Sequence, residues 1–404
     1  MSERMELTVG TTIWDLSIPD EKRVGLHRRL EPTALVDSPR DLVRAALENP
    51  HGLDAPMYRA LTPDDRVVIV LDERLPHICD LLVGVIEHLS QAKIEPSAIT
   101  VVVPHGGTST WIDDLPDEFA DIHVEVHDPE EQPKLAYLAT TKAGRRIYLN
   151  RTLVEADFVI VLTGRPFDPT FGHGGAEVAI FPGLADAETM AGFVGRFSIE
   201  PPDATDEHLR AEAREICWLF GNPFLIQVIE GPGDTVQEVV AGLPDCTELG
   251  AERQDAYWRV SVDDRPDLVV AAVAGSPERI TFQSLASAAA TAARVVVPGG
   301  RIAILAEAAP VLLEGAEILR QTEEPSRVAK VLYKRKPDDW PAAALWAFAA
   351  ESGHLFLASG FEDDVAEELY TTPLKSSAEV QRLIDMAERV LILPDAQKLI
   401  VDIA

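Results

Sequence analysis

Histidines and carboxylates that follow apolar runs are the residues of this chain best placed to do chemistry. His105 ends the run in TVVVPHGGT. A histidine titrates near neutral pH, so at a strand end it can serve as acid, base or ligand; the plainer alternative is a turn histidine bonded to backbone. His173 and Glu177 stand four residues apart in FGHGGAE. The flanking Gly174 and Gly175 permit a ligand to approach the backbone closely, and on a helix the spacing would set His173 and Glu177 on one face as a metal-binding pair. Glu177 otherwise reads as a solvated residue at a helix start. Asp72 and Arg74 follow another apolar run, in VLDERLP. A guanidinium makes two parallel hydrogen bonds to a carboxylate or phosphate, which suits Arg74 to an anionic substrate, and the pair otherwise reads as a surface salt bridge. His127 and Asp128 follow an alternating strand and read as turn-stabilising. No GxGxxG, Walker loop, GxSxG or HExxH sequence occurs, which counts against the common dinucleotide, nucleotide-triphosphate, serine-hydrolase and zinc-protease chemistries.

The elements that must position these residues are legible from periodicity. RVVIVLD and SAITVVVPHGG are β-branched runs of the kind buried on both faces of a parallel sheet, and CDLLVGVIEHLSQA between them has helical spacing. That order predicts a parallel crossover. DIHVEVHDP alternates as a half-buried strand, and AGRRIYLNRTLVEADFVIVLTG supplies an exposed strand, a short helix and a buried strand. The Gly- and Pro-dense segment after VLTG reads as a shaped loop, and loops beyond strand ends are where open α/β sheets bind ligands. Upstream, the opening segment reads as a lead-in whose helix, Ser38 to Leu47, has Ser38 as cap and Pro39 in the first turn. Downstream, RPDLVVAAVAGSP, QSLASAAATAARVV, RIAILAEA and VLILPD form a second α/β run. The fold class is α/β, with two domains of mostly parallel sheet expected at residues 1–262 and 263–404.

Composition agrees with a globular chain of 404 residues, long enough for two cores. Its 36 Lys and Arg against 67 Asp and Glu give a formal charge of -31, which repels polyanions and argues against nucleic acid or an anionic membrane as partner. Three widely separated cysteines without a CxxC pair fit a reducing cytosol. The start MSERMELTVG lacks the apolar stretch of a signal peptide, and no apolar run reaches the roughly 18 residues of a spanning helix. A cytoplasmic location is expected, while oligomeric state is not readable.

The landmarks RVVIVLDERLP, TVVVPHGGT, HDPEE, YLNRTLVEADFVIVLTG, GHGGAEVAIFPGLADAET and GSPERITFQSLASAAATAARVVVPGGRIAILAEA resemble, in order and spacing, the nickel-dependent lactate racemase family. The resemblance implies a cleft between two α/β domains, a small 2-hydroxy acid as substrate, and a nickel pincer nucleotide as cofactor. It sets Asp72, Gly107, Thr108, Gly174 and Gly175 against cofactor and Arg74 and Gln283 against substrate. The reactive positions depart from the family: Glu177 and Val178 stand where it has an Arg-Lys pair that carries the cofactor, and Asp168 and Ser109 stand where it has catalytic histidines. Val194 falls near its nickel-ligating histidine, and Ala286 replaces its substrate-binding lysine. The resemblance therefore implies a divergent homologue, racemase- or epimerase-like, with any nickel nucleotide held non-covalently and with His105 and His173 as substitute proton-transfer groups. The alternatives are a binding or regulatory paralogue without turnover, and an enzyme using another metal, ligated by His173 and Glu177, or none.

Overall fold

A computed structural model describes residues 2–33, 38–142, 144–168, 172–173, 175–200 and 207–404. They divide into two compact units. One comprises Pro32–Gly231 and Thr235–Gln254; the other takes both chain ends, Met1–Glu31 and Asp255–Ala404, with Pro232–Asp234.

The first unit is built on six strands: β1 (Val67–Leu71), β2 (Ile99–Val103), β3 (His123–Val126), β4 (Phe158–Gly164), β5 (Phe224–Glu230) and β6 (Val236–Gly242). They lie in the order β6-β5-β4-β1-β2-β3, and every neighbouring pair is parallel except β5 with β6. All five residues of β1, VVIVL, are buried. Such a run suits a central strand because it meets packed side chains on both faces. Two helices supply much of that packing. In α1 (Pro39–Glu48) the Ser38 hydroxyl accepts the Asp41 N–H at 3.2 Å, Pro39 occupies the first turn, and Val43 and Leu47 point inward. In α2 (Ile78–Ser90), Leu81, Leu82, Val85, Ile86 and Leu89 are buried. They share one core with Ile69, Leu71, Val101, Val103, Ile160 and Leu162, each worth about 1.5–3 kcal/mol of burial.

Two further segments form the expected elements with different burial. Between Gly144 and Gly164 a strand (Arg146–Asn150), a short helix (Arg151–Val154) and the buried β4 follow in the expected order, but the first strand is not exposed: Ile147, Leu149 and Asn150 are buried. The edge strand β3 is only partly buried, but its burial does not alternate as expected, since Val126 is exposed.

The second unit holds an all-parallel sheet of β7 (Leu268–Ala272), β8 (Arg301–Leu305), β9 (His354–Ala358), β10 (Thr371–Pro373) and β11 (Val390–Leu393), ordered β10-β9-β8-β7-β11. The opening segment is more than a lead-in. Ser2–Val9 and Thr12–Pro19 form an antiparallel hairpin whose alternation turns Leu7, Val9, Leu16 and Ile18 into the core beside Leu268, Val270 and Leu305. Both sheets are mostly parallel, as the apolar runs predict. Among the described residues no helix is long and apolar enough to cross a membrane.

Candidate functional site

From β1 the chain moves outward through β2 and β3, then returns to the other side of β1 as β4. The loops leaving these strands therefore diverge, and the gap at their carboxyl ends is where open α/β sheets hold ligands. A cleft of about 460 Å³ opens there. The loop after β1 contributes Asp72, Glu73 and Arg74; the loop after β2 contributes Pro104, His105, Gly106 and Gly107. Thr163 and Gly164 of β4 form another wall with Pro166, and Gly175, Val178, Ala179 and Gly183 complete it around the short helix α3 (Ala176–Ile180).

Glu73 ties two of these loops together. Its Oε2 accepts the Thr108 N–H at 2.9 Å, and its Oε1 accepts the Ser109 N–H at 2.6 Å and the Trp111 indole N–H at 2.7 Å. Charge-assisted bonds to one carboxylate are stronger than neutral ones, so Glu73 pins the segment that carries His105. The turn itself depends on glycine. Gly106 has φ +81°, and a Cβ on Gly107 would lie 2.6 Å from Glu73 Oε2. Beside this clamp Asp72 Oδ1 accepts both the backbone N–H and the Nε–H of Arg74 at 3.1 Å, and Arg74 remains 69% exposed, so its guanidinium faces solvent at the cleft mouth.

Thr163 differs from its neighbours. It is 5% exposed, and among the described residues its hydroxyl has no hydrogen-bond partner although the residue lines the cleft. A buried hydroxyl left in that state is costly, which marks it as a group able to meet a ligand.

Behind the cleft wall lies a buried polar layer. Arg165, 2% exposed, donates from Nη1 to Gln227 Oε1 at 2.9 Å, and the Gln227 amide donates to the Cys246 carbonyl. Burial pushes the Cys246 thiol up to about 12, so it is not a nucleophile at neutral pH. His127 is fully buried, with Nε2 2.9 Å from the Ala185 carbonyl, and burial holds its pKa below the ordinary value. Asp128 accepts the Glu130 N–H, so both residues stabilise their turn.

The cleft thus gathers Asp72, Arg74, His105, Gly107 and Gly175. Thr108 stands beside it through its bond to Glu73. Gln283 belongs to the other unit, near the start of helix α4 (Phe282–Val295), where its amide donates to Ser287 Oγ at 3.0 Å. Gly174 lies outside the described residues, as does the side chain of His173, whose backbone pairs with Phe167 in a two-residue strand. One expectation is corrected: His173 and Glu177 do not share a helix face. The extended backbone of Gly175, φ −166°, starts α3 after His173, and Glu177 is 6% exposed rather than solvated. Glu73, Thr163 and Arg165 were not singled out from sequence. Glu73 contacts backbone N–H groups some 35 residues away, and no spacing rule reports such a contact.

A covalently tethered nickel nucleotide, as the lactate racemase family carries it, does not fit this cleft. Val178, where the resemblance sets the anchoring lysine, presents an alkyl group to it, and His105 is the histidine among the described lining residues. Among the described residues no group of three or more His, Cys, Asp or Glu is placed to hold a metal.

Residues 9–205 match the family described as lactate racemase N-terminal domain. The lactate racemase of Thermoanaerobacterium thermosaccharolyticum is 22% identical over 98% of this chain and 99% of its own length. The apoprotein structure of lactate racemase from that organism superimposes with a TM-score of 0.81 at 19% identity, covering 99% of this chain and 100% of that one. A Thermotoga maritima protein of known structure follows with TM-score 0.67 and 13% identity, covering 93% of this chain and all of its own. Over residues 9–205 the chain is similar to the lactate racemase N-terminal domain family, and over nearly its whole length it is similar to a lactate racemase.

Proposed function

We propose that this chain acts on a small 2-hydroxy acid held in the cleft at the carboxyl ends of β1, β2 and β4, as a racemase- or epimerase-type enzyme. The observation that carries the reading is the pairing, in one cleft of about 460 Å³, of a solvent-facing arginine with a histidine on the neighbouring strand end. Arg74 opposes the substrate carboxylate, for which its planar fork is suited. His105 is the proton-transfer group, and the Thr163 hydroxyl bonds to the substrate from the cleft wall. The substrate class rests on the relatives called lactate racemase.

A second reading, binding without turnover, is favoured by Val178, because no covalently held hydride carrier can be mounted there. Two assays separate the readings. Titration calorimetry with D-lactate, L-lactate and propionate tests the site: the hydroxy acids bind more tightly than propionate, and Arg74→Ala weakens them about 10-fold to 100-fold, equivalent to one charge-assisted hydrogen-bonded contact. Chiral chromatography after incubation with each enantiomer tests turnover. Equal affinity in wild type and Arg74→Ala would end the site assignment, and retention of a single enantiomer would leave binding alone. Metal analysis and intact mass after co-expression with enzymes that build the nickel nucleotide decide the cofactor question.

A further inference from the structure

The sheet of the second unit has a divergence of its own. From β7 the chain moves outward through β8, β9 and β10, then returns to the other side of β7 as β11. The loops after β7 and β11 therefore part at their carboxyl ends, the place where an open α/β sheet holds a ligand. Here the chain's own segment Pro232–Asp234, which belongs to this unit, bonds to both loops. From the loop after β11, Asp395 Oδ1 accepts the Gly233 N–H at 2.9 Å, and the Lys398 ammonium donates to the Gly233 carbonyl at 2.5 Å. From the loop after β7, the Ser276 N–H donates to Asp234 Oδ2 at 2.6 Å, and the Arg279 guanidinium donates to Asp234 Oδ1. A backbone donor, a backbone acceptor and a side-chain carboxylate are each met, as they are in a bound peptide.

The loop after β7 is shaped for a carboxylate. Gly275 has φ +113°, and a Cβ on it would lie 2.7 Å from Asp234 Oδ1, so glycine is what lets a carboxylate come this close to the backbone. A backbone N–H and a guanidinium then converge on the two carboxylate oxygens, each bond strengthened by the charge. Burial opposes the charge on Asp234, yet the Ser276 N–H and the Arg279 guanidinium outweigh it and hold the carboxyl below the ordinary carboxylate range.

We propose that Gly275, Ser276 and Arg279 form a binding site for one small carboxylate and that Asp234 is its built-in occupant, an internal ligand that masks the site from free carboxylates. Because the occupant is part of the chain, a free carboxylate must displace it before binding to the wild type. The site is separate from the hydroxy-acid cleft and does not depend on what that cleft binds.

The test empties the site in the full chain. Asp234→Ala removes the carboxylate group alone, and formate is that group with one hydrogen added. In this variant sodium formate raises the melting temperature in a saturable way, by about 2 °C at tenfold excess over the dissociation constant, beyond its effect on the wild type at the same concentrations. Formamide, of the same shape without the charge, does not, and the double variant Asp234→Ala/Arg279→Gln loses the increment. Asp234→Asn, neutral but of the same shape, keeps the site filled and responds to formate as the wild type does. Should Asp234→Ala fail to fold in sodium chloride, recovery of folded protein on refolding in formate, and not in formamide, is the same result. A variant that formate neither stabilises beyond the wild type nor refolds, or an increment that survives Arg279→Gln, would overturn the site.

Discussion

Removing the Glu73 carboxylate tests how the cleft is held open. Three hydrogen bonds end on it, from the backbone N–H groups of Thr108 and Ser109 and from the Trp111 indole. Bonds to a charged acceptor contribute about 1.5–3 kcal/mol each when both partners are withdrawn from water. Thr108 is exposed and its N–H regains water in a variant, so its bond counts for little in the ledger. Trp111 is 6% exposed, and its indole N–H would be left without a partner. Glu73→Ala therefore costs about 3 kcal/mol. Glu73→Gln costs about 1–2 kcal/mol, because one amide oxygen can keep the Ser109 and Trp111 donors while the amide nitrogen opposes Thr108. Urea unfolding reads both: the midpoint falls in the order wild type, Gln, Ala at constant slope. Binding of hydroxy acids weakens in parallel, since the same bonds hold the loop that carries His105. If the Ala variant unfolds at the wild-type midpoint, the carboxylate is not what holds this loop and the reasoning fails.

Thr163→Val removes a buried hydroxyl that has no partner among the described residues, so the ligand-free protein should gain about 1 kcal/mol while hydroxy-acid affinity falls; a lower urea midpoint would contradict the first half. Gly183→Ala places a Cβ 2.4 Å from the Ala179 carbonyl oxygen, a backbone atom that cannot step aside, and should lower stability by more than about 2 kcal/mol. Gly106→Ala meets nothing within 4 Å and should cost only about 1 kcal/mol for its positive φ, so equal effects at the two glycines would refute the steric argument. His88 and His127 are both held below their ordinary pKa, chiefly by burial. The unfolded chain binds more protons than the folded one between the folded and unfolded values, so their contribution is intact above about pH 6.5 and is lost as pH falls through the folded values. Urea midpoints measured from pH 8 to pH 5 should fall. His88→Gln, which keeps an acceptor for the Tyr58 N–H, should flatten part of that decline.

The sheets were legible because their signal is local. A run such as VVIVL has one stable destination, a strand covered on both faces, and the intervening apolar spacing of α2 leaves only a crossover helix. The same logic located Asp72, Arg74 and His105, since whatever follows a buried parallel strand stands at its carboxyl end. What sequence could not supply is contact between loops. Glu73 lies between two residues that attracted notice, yet its role is set by N–H groups on the loop after β2, and Thr163 is distinctive only because a bond is absent. The Glu177 reading failed for a related reason. Spacing of four residues implies a shared face only if one helix spans both, and the extended Gly175 interrupts the chain between them. Glu177 then turns to a second, arginine-lined cavity while Val178, one residue on, lines both it and the cleft. Where the family resemblance implies an arginine and a lysine facing a tethered cofactor, this chain sets an acid among arginines and an alkyl group in the cleft. Restoring only the lysine, as Val178→Lys, would add a positive charge beside a cavity lined by Arg165, Arg210 and Arg214. At the two positions that the resemblance sets against the Arg-Lys pair, Glu177 therefore lines the arginine-rich cavity while Val178 lines the cleft as well.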